Sequence, residues 1–493
     1  MNHSNNFQNN QGIFRRIVAT FRTNPLNGFY LWLMMWPILA VIGVILLKLP
    51  ISSLENTEVT LVDAIFTSIS AVTLTGLTVL DTNFVWSTTG LVILLGLFQL
   101  GGLGAFAGLA ALLLRIGQLT GLRESQIRRA QGLSADQDES RLGLWWIVKF
   151  MLGLQSLAFI LIFVSFSFSE RQVQIAALWP SVFLAISAVN SAGFVYWGEF
   201  DALTDNNLLI TIFSFFTMIG SFGLLILHNL ARSYHKVLVM RLGSARNIKA
   251  YVLSLSPAAL REIWRRLSLD AKIVFSSSLS LLTAGTLWVF LREYVGDGAL
   301  SDRGVFNALF HSLTESSFAR SSGFTTIDWS TPDTGTLLVV TGLMFIGGAS
   351  GSVGGGIRLT TFGLVAHKFA SVIRGDQQQA IFGRGITDHD FRIALTFLTC
   401  SLIFLMTMVL LISQVTTANL ESVIFETTSA FSKTGFSTGL TAELGDIGKI
   451  LLATTMLVGR IGPLAVLTLL AGDPDRQQTA GTIRYPEESV VLG

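Results

Sequence analysis

The sequence predicts an all-α integral membrane protein made of four tandem units, each a long helix, a half-membrane helix with a glycine-bearing loop, and a second long helix. Three observations predict it. Only 13% of the 493 residues are charged and 51% are hydrophobic, against about 25% charged in soluble domains. Charge-free runs long enough to cross a bilayer, about 20 residues of helix, recur along the chain. Between pairs of these runs, four short segments end alike: Thr75-Gly76-Leu77, Ala192-Gly193-Phe194, Ser322-Gly323-Phe324 and Thr434-Gly435-Phe436.

The long runs are Phe29–Leu47, Thr82–Leu114, Phe150–Ser169, Asn206–Ala231, Ile273–Leu291, Thr334–Ile357 and Ile393–Leu420, with an eighth, Ile450–Gly472, interrupted only by Arg460. Bulky Trp, Met and Ile fill the first run and no small-residue cleavage pattern ends it, so it is expected to be retained rather than removed as a signal peptide. Cys400 is the single cysteine. One thiol within an apolar run excludes an intrachain disulfide framework or thiolate metal cluster and reads as small apolar packing.

Charge is distributed unevenly. Arg15, Arg16 and Arg22 precede the first run, and Arg232, Lys236, Arg241, Arg246, Lys249, Arg261, Arg265, Arg266 and Lys272 crowd the linker after the fourth. The positive-inside rule puts these segments, and both termini, in the cytoplasm. Glu55, Glu58, Asp81, Glu199, Asp201, Asp205, Asp297, Asp328 and Asp333 fall on the opposite side. Together they make an acidic mouth that concentrates cations; taken singly, each reads equally well as a solvated loop residue.

The four glycines recur at roughly 110–130 residues, too long for a solenoid and suited to a duplicated membrane unit. A Phe lies ten positions before the glycine in three copies, Phe66, Phe183 and Phe425, and is expected at the start of a short helix. In the third copy Phe310 lies thirteen positions before, so that half-helix or its exit differs. Each second long helix carries a further landmark: Leu100-Gly101-Gly102, Ile219-Gly220-Ser221, Ile346-Gly347-Gly348 and Val458-Gly459-Arg460. The expected units are 24–115, 145–236, 270–372 and 391–471, joined by cytoplasmic linkers 116–144, 237–269 and 373–390 and flanked by cytoplasmic tails 1–23 and 472–493. Two spans per unit give every unit the same orientation, so eight transmembrane helices and four pore helices surround one axis along the membrane normal, unlike inverted-repeat transporters. Pro474 and Pro486 make the final tail extended or docked on a partner.

A dehydrated cation needs a ring of oxygens in place of its water, which four loops of backbone carbonyls supply. Glycine lets the backbone adopt the required conformations at little steric cost. A half-helix such as Thr60–Val72 spans about 20 Å at 1.5 Å per residue, and its carboxyl end aims partial negative charge at the axis. Non-helical backbone at that depth must be buried in protein or line a water-filled path. The candidate filter is therefore Thr73, Leu74, Thr75 and Gly76; Asn190, Ser191, Ala192 and Gly193; Arg320, Ser321, Ser322 and Gly323; and Ser432, Lys433, Thr434 and Gly435.

Two more features stand out. The stretch Gly347-Gly348-Ala349-Ser350-Gly351-Ser352-Val353-Gly354-Gly355-Gly356 cannot hold a helix, since each glycine costs about 1 kcal/mol relative to Ala; it is either a mobile plug or a rigid kink. No Gly-Lys-Ser/Thr follows it, so it is not a phosphate-cradling loop. Arg460 stands alone in an apolar helix, where a charge costs roughly 2.5–3.5 kcal/mol at the bilayer centre; it needs a partner or must snorkel.

With these loops, the glycine stretch and Arg460, the chain resembles the superfamily of Trk, Ktr and HKT potassium transporters, from Phe29 to Gly472. The resemblance implies potassium uptake across the plasma membrane, with residues 347–356 as an intramembrane gate below the filter and Arg460 beside it as electrostatic barrier and hydrogen-bond donor. Four spanning pairs without further amino-terminal helices look most like the Ktr-type membrane subunit. That similarity implies a homodimer on a cytoplasmic ring of nucleotide-binding regulatory subunits, with potassium, and in some members sodium as a stimulating ion, but no organic cofactor. The basic linkers suit such a ring or anionic lipid, at about 1 kcal/mol per Lys or Arg near the surface.

Lys433 and Arg320 depart from a cation filter's chemistry. They are expected to point outward and brace the loops through Glu426 and Glu315; an inward Lys433 would oppose conduction. Single-glycine loops form fewer good carbonyl rings than two-glycine channel filters, so potassium is expected to be preferred over sodium less strongly. Two other classes compete. An intramembrane hydrolase using Ser350 with His228 or His311 lacks the last glycine of a nucleophile elbow. A coupled secondary transporter of another solute usually carries ionisable residues within full spans, where only Arg460 qualifies.

Overall fold

The computed structural model describes residues 25–54, 57–116, 144–169, 175–197, 206–242, 256–296, 298–320, 322–375 and 380–462. Apolar sequence makes helices almost throughout. The first segment holds α1 (Pro25–Leu47), the short α2 (Leu61–Thr73) and α3 (Thr88–Ile116); the second, α4 (Leu144–Ser169), the short α5 (Leu178–Asn190), α6 (Asn207–Phe222) and α7 (Leu224–Leu242). After the basic helix α8 (Pro257–Arg266) come α9 (Leu269–Val289, continued to Val295 by one wide turn), the short α10 (Val305–Phe318), α11 (Thr334–Phe345) and α12 (Leu359–Arg374). A two-residue hairpin, Ala380–Ile381 with Arg384–Gly385, leads to α13 (Asp388–Ser413), the short α14 (Leu420–Ser432) and α15 (Asp446–Ile461).

Local chemistry sets the starts of these helices. Thr60 caps α2 by accepting from the Asp63 amide at 3.1 Å, Asn206 caps α6 and Thr387 caps α13, each satisfying an amide with no intrahelical partner. Among the described residues, stretches within α4, α9 and α13 are long and apolar enough to cross a membrane, and α6 with Ile226–Val237 forms a bent fourth. Ile45, Leu279, Ile403 and Leu410 on the outside are more than 60% exposed, an apolar exterior suited to lipid.

Five expected spans differ from their sequence reading. Thr82–Leu114 is interrupted at Trp86 and Ser87, and Ile393–Leu420 leaves its helix after Ser413. The run Asn206–Ala231 breaks at Gly223, whose φ of 76° takes the chain out of α6. Thr334–Ile357 is helical only to Phe345. The last run is helical to Ile461 and turns at Gly462, φ 95°; its remainder lies outside the described residues, as do both tails and most of the linkers.

The packing is cyclic. In each segment the first long helix lies on its own short helix: α1 on α2, α4 on α5, α9 on α10 and α13 on α14. The second long helix packs on the short helix of the next segment: α3 on α5, α6 on α10, α11 on α14, and finally α15 back on α2. Aromatic residues fix the same order. Phe194 meets Phe98 with ring centroids 4.8 Å apart, Phe324 meets Phe213 at 4.6 Å and Phe436 meets Trp329 at 5.0 Å, while Leu77 joins the core of the fourth segment with Leu452 and Met456. The residue after each glycine is thus buried against the preceding segment.

Candidate functional site

Each short helix ends at the centre of the molecule. Three of them close with a left-handed residue, Leu74 (φ 64°), Ser191 (φ 51°) and Lys433 (φ 59°), a conformation that disfavours side chains by about 1–2 kcal/mol. The reversal is held the same way each time: the Thr75 amide donates to Ser70 O at 2.9 Å, Ala192 to Ser187 O at 2.8 Å and Thr434 to Ser429 O at 3.0 Å. Ser70 and Ser187 also donate through Oγ to the carbonyls of Leu77 and Phe194, both at 2.7 Å. Hydroxyls pair across two of the turns, Thr73 with Thr75 at 2.7 Å and Ser432 with Thr434 at 3.0 Å, while the Asn190 side chain donates through Nδ2 to Ile186 O at 3.0 Å.

The third copy differs at its exit. Phe310 is the sixth residue of α10, as Phe66, Phe183 and Phe425 are of their short helices, so these rings sit mid-helix rather than at the start. α10 has fourteen residues where the others have thirteen, and two further residues precede Gly323. Ser321 lies outside the described residues.

The four glycines meet. Gly76, Gly193, Gly323 and Gly435 all have φ between 71° and 83°. A Cβ on Gly76 would stand 2.8 Å from both Ala192 O and the Cα of Gly193; on Gly193, 2.5 Å from the Cα of Gly323; on Gly435, 2.7 Å from the Cα of Gly323. Gly435 also faces Thr75 O, and Ser322 O stands 3.1 Å from the Cβ position of Gly193. The glycines therefore form a ring with backbone oxygens turned onto it, and a side chain at any of them would meet backbone.

The landmark glycines sit one layer away. A Cβ on Gly101, Gly220 or Gly459 would meet the carbonyl of Val72, Val189 or Phe431, the matching residue of the short helix in the same segment. They let each second helix cross close to its own short helix. Gly347 instead faces Gly355 O within the glycine stretch.

Residues 347–356 form a compact loop between α11 and α12. A bridge between Ile346 and Ile357 closes its base, with Gly347 N donating to Ile357 O at 3.0 Å and Ile357 N to Phe345 O at 2.9 Å. Ala349 N donates to Ser221 O at 2.8 Å, beside the break at Gly223. Ser350 and Thr360 share a hydroxyl contact at 2.8 Å, and Ser352 Oγ accepts from Gly354 N at 3.2 Å. A Cβ on Gly348 or Gly223 would meet the neighbouring backbone or Ser352, and one on Gly356 would meet Phe345 O. Gly351 has φ 74°.

Cations hold the loop's tip. Arg460 Nη1 donates to Val353 O at 2.8 Å and Nη2 to Gly101 O at 3.0 Å, with the guanidinium 4.4 Å from the centroid of Trp36. Sequence reasoning missed Arg358, which follows the glycine stretch by two residues and whose Nη1 donates to Gly354 O at 2.9 Å. The signal available was an arginine directly after a glycine triplet and an apolar residue, at the end of an apolar run.

The expected bracing pairs do not form. Glu426 accepts from Ser437, from the Thr438 amide at 2.9 Å and from Thr441 Oγ1 at 2.6 Å. Glu315 accepts from Thr326 and from Thr325 Oγ1 at 3.1 Å. Both carboxylates instead fasten the segment that leaves the glycine, through its amides and hydroxyls. Arg320, 2% exposed, donates to Ser278. Lys433 turns away from Glu426, and its Nζ donates to Val353 O.

The TrkH family, described as a cation transport protein, matches residues 25–476. The Ktr system potassium uptake protein B of Bacillus subtilis is 30% identical over 92% of this chain and 94% of its own length. The potassium/sodium uptake protein NtpJ of Enterococcus hirae is 29% identical over 92% and 95%. The crystal structure of the potassium transporter TrkH from Vibrio parahaemolyticus superposes with a TM-score of 0.64 at 17% identity, over 90% of this chain and 84% of that one, a likeness of fold. A match across nearly the whole chain, on a helical multi-pass membrane architecture, makes this protein a member of the TrkH family of cation transport proteins.

Proposed function

We propose that this protein takes up potassium across the plasma membrane through a filter built by its four glycine-bearing loops. The observation that carries the reading is the ring of Gly76, Gly193, Gly323 and Gly435, closed in chain order with backbone oxygens of Thr75, Ala192 and Ser322 against it. Such oxygens replace a monovalent cation's water shell. Potassium is the ion because relatives of near-full length carry it in their names. Sodium is the second ion, as a permeant or stimulating species, in line with the name of the Enterococcus relative.

In this reading the four segments are parallel repeats around one path, with Thr73–Gly76, Asn190–Gly193, Arg320–Gly323 and Ser432–Gly435 as filter. Residues 347–356 and Arg460 are the gate beneath it, and Arg358 braces the loop from within. Both termini are cytoplasmic. The functional unit is a homodimer on a ring of nucleotide-binding subunits, with the exposed Arg232, Lys236, Arg261, Arg265 and Arg266 facing that ring or anionic lipid.

Growth of potassium-uptake-deficient cells at low potassium tests this. Expression of the chain should restore growth, and Gly193→Asp should not; failure of the wild-type chain, present in the membrane, removes the reading. Flux into liposomes with and without sodium and a nucleotide-binding subunit separates the roles of those partners.

A further inference from the structure

Lys433 is the residue that a cation path leaves unexplained. It is buried at 1% exposure, sits in the left-handed turn two residues before Gly435, and reaches Val353 O at the tip of the glycine-rich loop. Arg460 donates to that same oxygen. The lysine stem lies against the loop: a Cβ on Gly355 would stand 2.5 Å from Lys433 Cε and 2.5 Å from Ser432 O. Val353 is enclosed from other sides too, since its Cγ2 is 3.2 Å from the Cβ position of Gly220 in the second segment. Through Arg460 it is linked to Gly101 O in the first. Val353 O therefore sits among three segments, one layer from the glycine ring, where a cation leaving that ring would pass.

We infer that Lys433 is a tethered cation: its ammonium occupies the place of a permeating ion directly below the ring and latches the fourth loop to the glycine-rich loop through Val353 O. This rests on the ion-path reading. An ammonium and a monovalent metal ion seek the same ligands, carbonyl oxygens, and each repels the other. Lys433 also differs from Arg460 in how it is held. Arg460 has Gly101 O and the Trp36 ring as further anchors, whereas the one acceptor found for the Lys433 ammonium among the described residues is Val353 O. The lysine is a compact charge on a flexible stem, so it is the part of the latch that lets go first. Because both donors share an acceptor, losing Lys433 leaves the loop tied at that oxygen by Arg460 alone and loosens it, and removal of the two should be non-additive.

Two readouts on the full-length protein test this: rubidium uptake into proteoliposomes, and hydrogen–deuterium exchange of residues 347–356. Lys433→Met keeps the stem and removes the charge; it should raise basal uptake at least fivefold and speed exchange of the loop amides at least tenfold. Lys433→Arg, which keeps a cation on a long stem, should hold loop exchange closer to wild type than Lys433→Met does. Lys433→Gln, judged alongside for folding by size exclusion, should move in the same direction as Lys433→Met. Unchanged loop exchange in folded Lys433→Met and Lys433→Gln overturns the latch, and faster exchange without a rise in uptake overturns the ion-substituting role. If wild type and variants alike carry no cation, the ion-path reading fails, while exchange alone still decides whether the latch exists.

Discussion

At the four glycines, steric exclusion and backbone conformation act together. Gly76→Ala or Gly193→Ala forces a methyl group against backbone 2.5–2.8 Å away in a φ region that itself disfavours alanine by about 1–2 kcal/mol. Uptake should fall more than tenfold, measured as rubidium flux at equal protein in the membrane. Glu426 supports its loop through neutral donors, so Glu426→Ala leaves the buried Thr441 hydroxyl and the half-buried Ser437 and Thr438 groups unmatched, at about 1–3 kcal/mol for a buried group. Its melting temperature in detergent should drop by several degrees, and Glu426→Gln should lose less. The four glycines that meet were legible in the sequence because glycine is the residue a positive φ without side-chain space selects. The direction of Lys433 was not. Charge complementarity along the chain pointed to Glu426, but the left-handed turn at Lys433 carries its stem to the opposite side, and only the fold brings Val353 there from 80 residues away.

Among the elements, the short helices were the most readable: Thr60–Val72 was expected and Leu61–Thr73 is found, with Thr60 as its cap. The landmark glycines were visible as a pattern, but their purpose was not. Gly101, Gly220 and Gly459 mark where their helices cross the short helix of the same segment, a contact between elements that no local signal encodes. Gly459→Ala should therefore destabilise, because its Cβ meets Phe431 backbone. Gly96→Ala in α3, with nothing within 4 Å of the added carbon, should be neutral or raise the melting temperature slightly, as a mid-helix glycine costs about 1 kcal/mol relative to Ala. Thermal unfolding of the two variants side by side checks the contrast. The break at Gly223 escaped the sequence reading, since an apolar run reads as one span. The cause is tertiary: a Cβ on Gly223 would stand 3.1 Å from Gly351 and Ser352 backbone, so the helix gives way where the loop presses on it.

For the whole molecule, closure of the ring depends on the last segment returning to the first. α15 packs on α2, and Lys449 Nζ donates to Asp63 Oδ1 at 2.7 Å across that seam. Lys449→Met and Asp63→Asn should each lower the melting temperature, and the double variant should lose less than the sum, because both act on one contact; full additivity would mean that the pair does not tie the seam. A single glycine per loop should leave potassium preferred over sodium but not to sodium's exclusion, read from reversal potentials in mixed gradients. The sequence by itself determined the membrane class, the number of glycine-bearing loops and their spacing, because hydropathy, helix length and glycine's conformational freedom are local properties. The tertiary structure decided which segment touches which, where the spans break, and which oxygens the buried Lys433 and Arg460 and the half-buried Arg358 reach. Those outcomes depend on contacts between residues far apart in the chain, and a buried charge goes to the nearest unpaired acceptor the fold provides rather than to the carboxylate nearest in sequence.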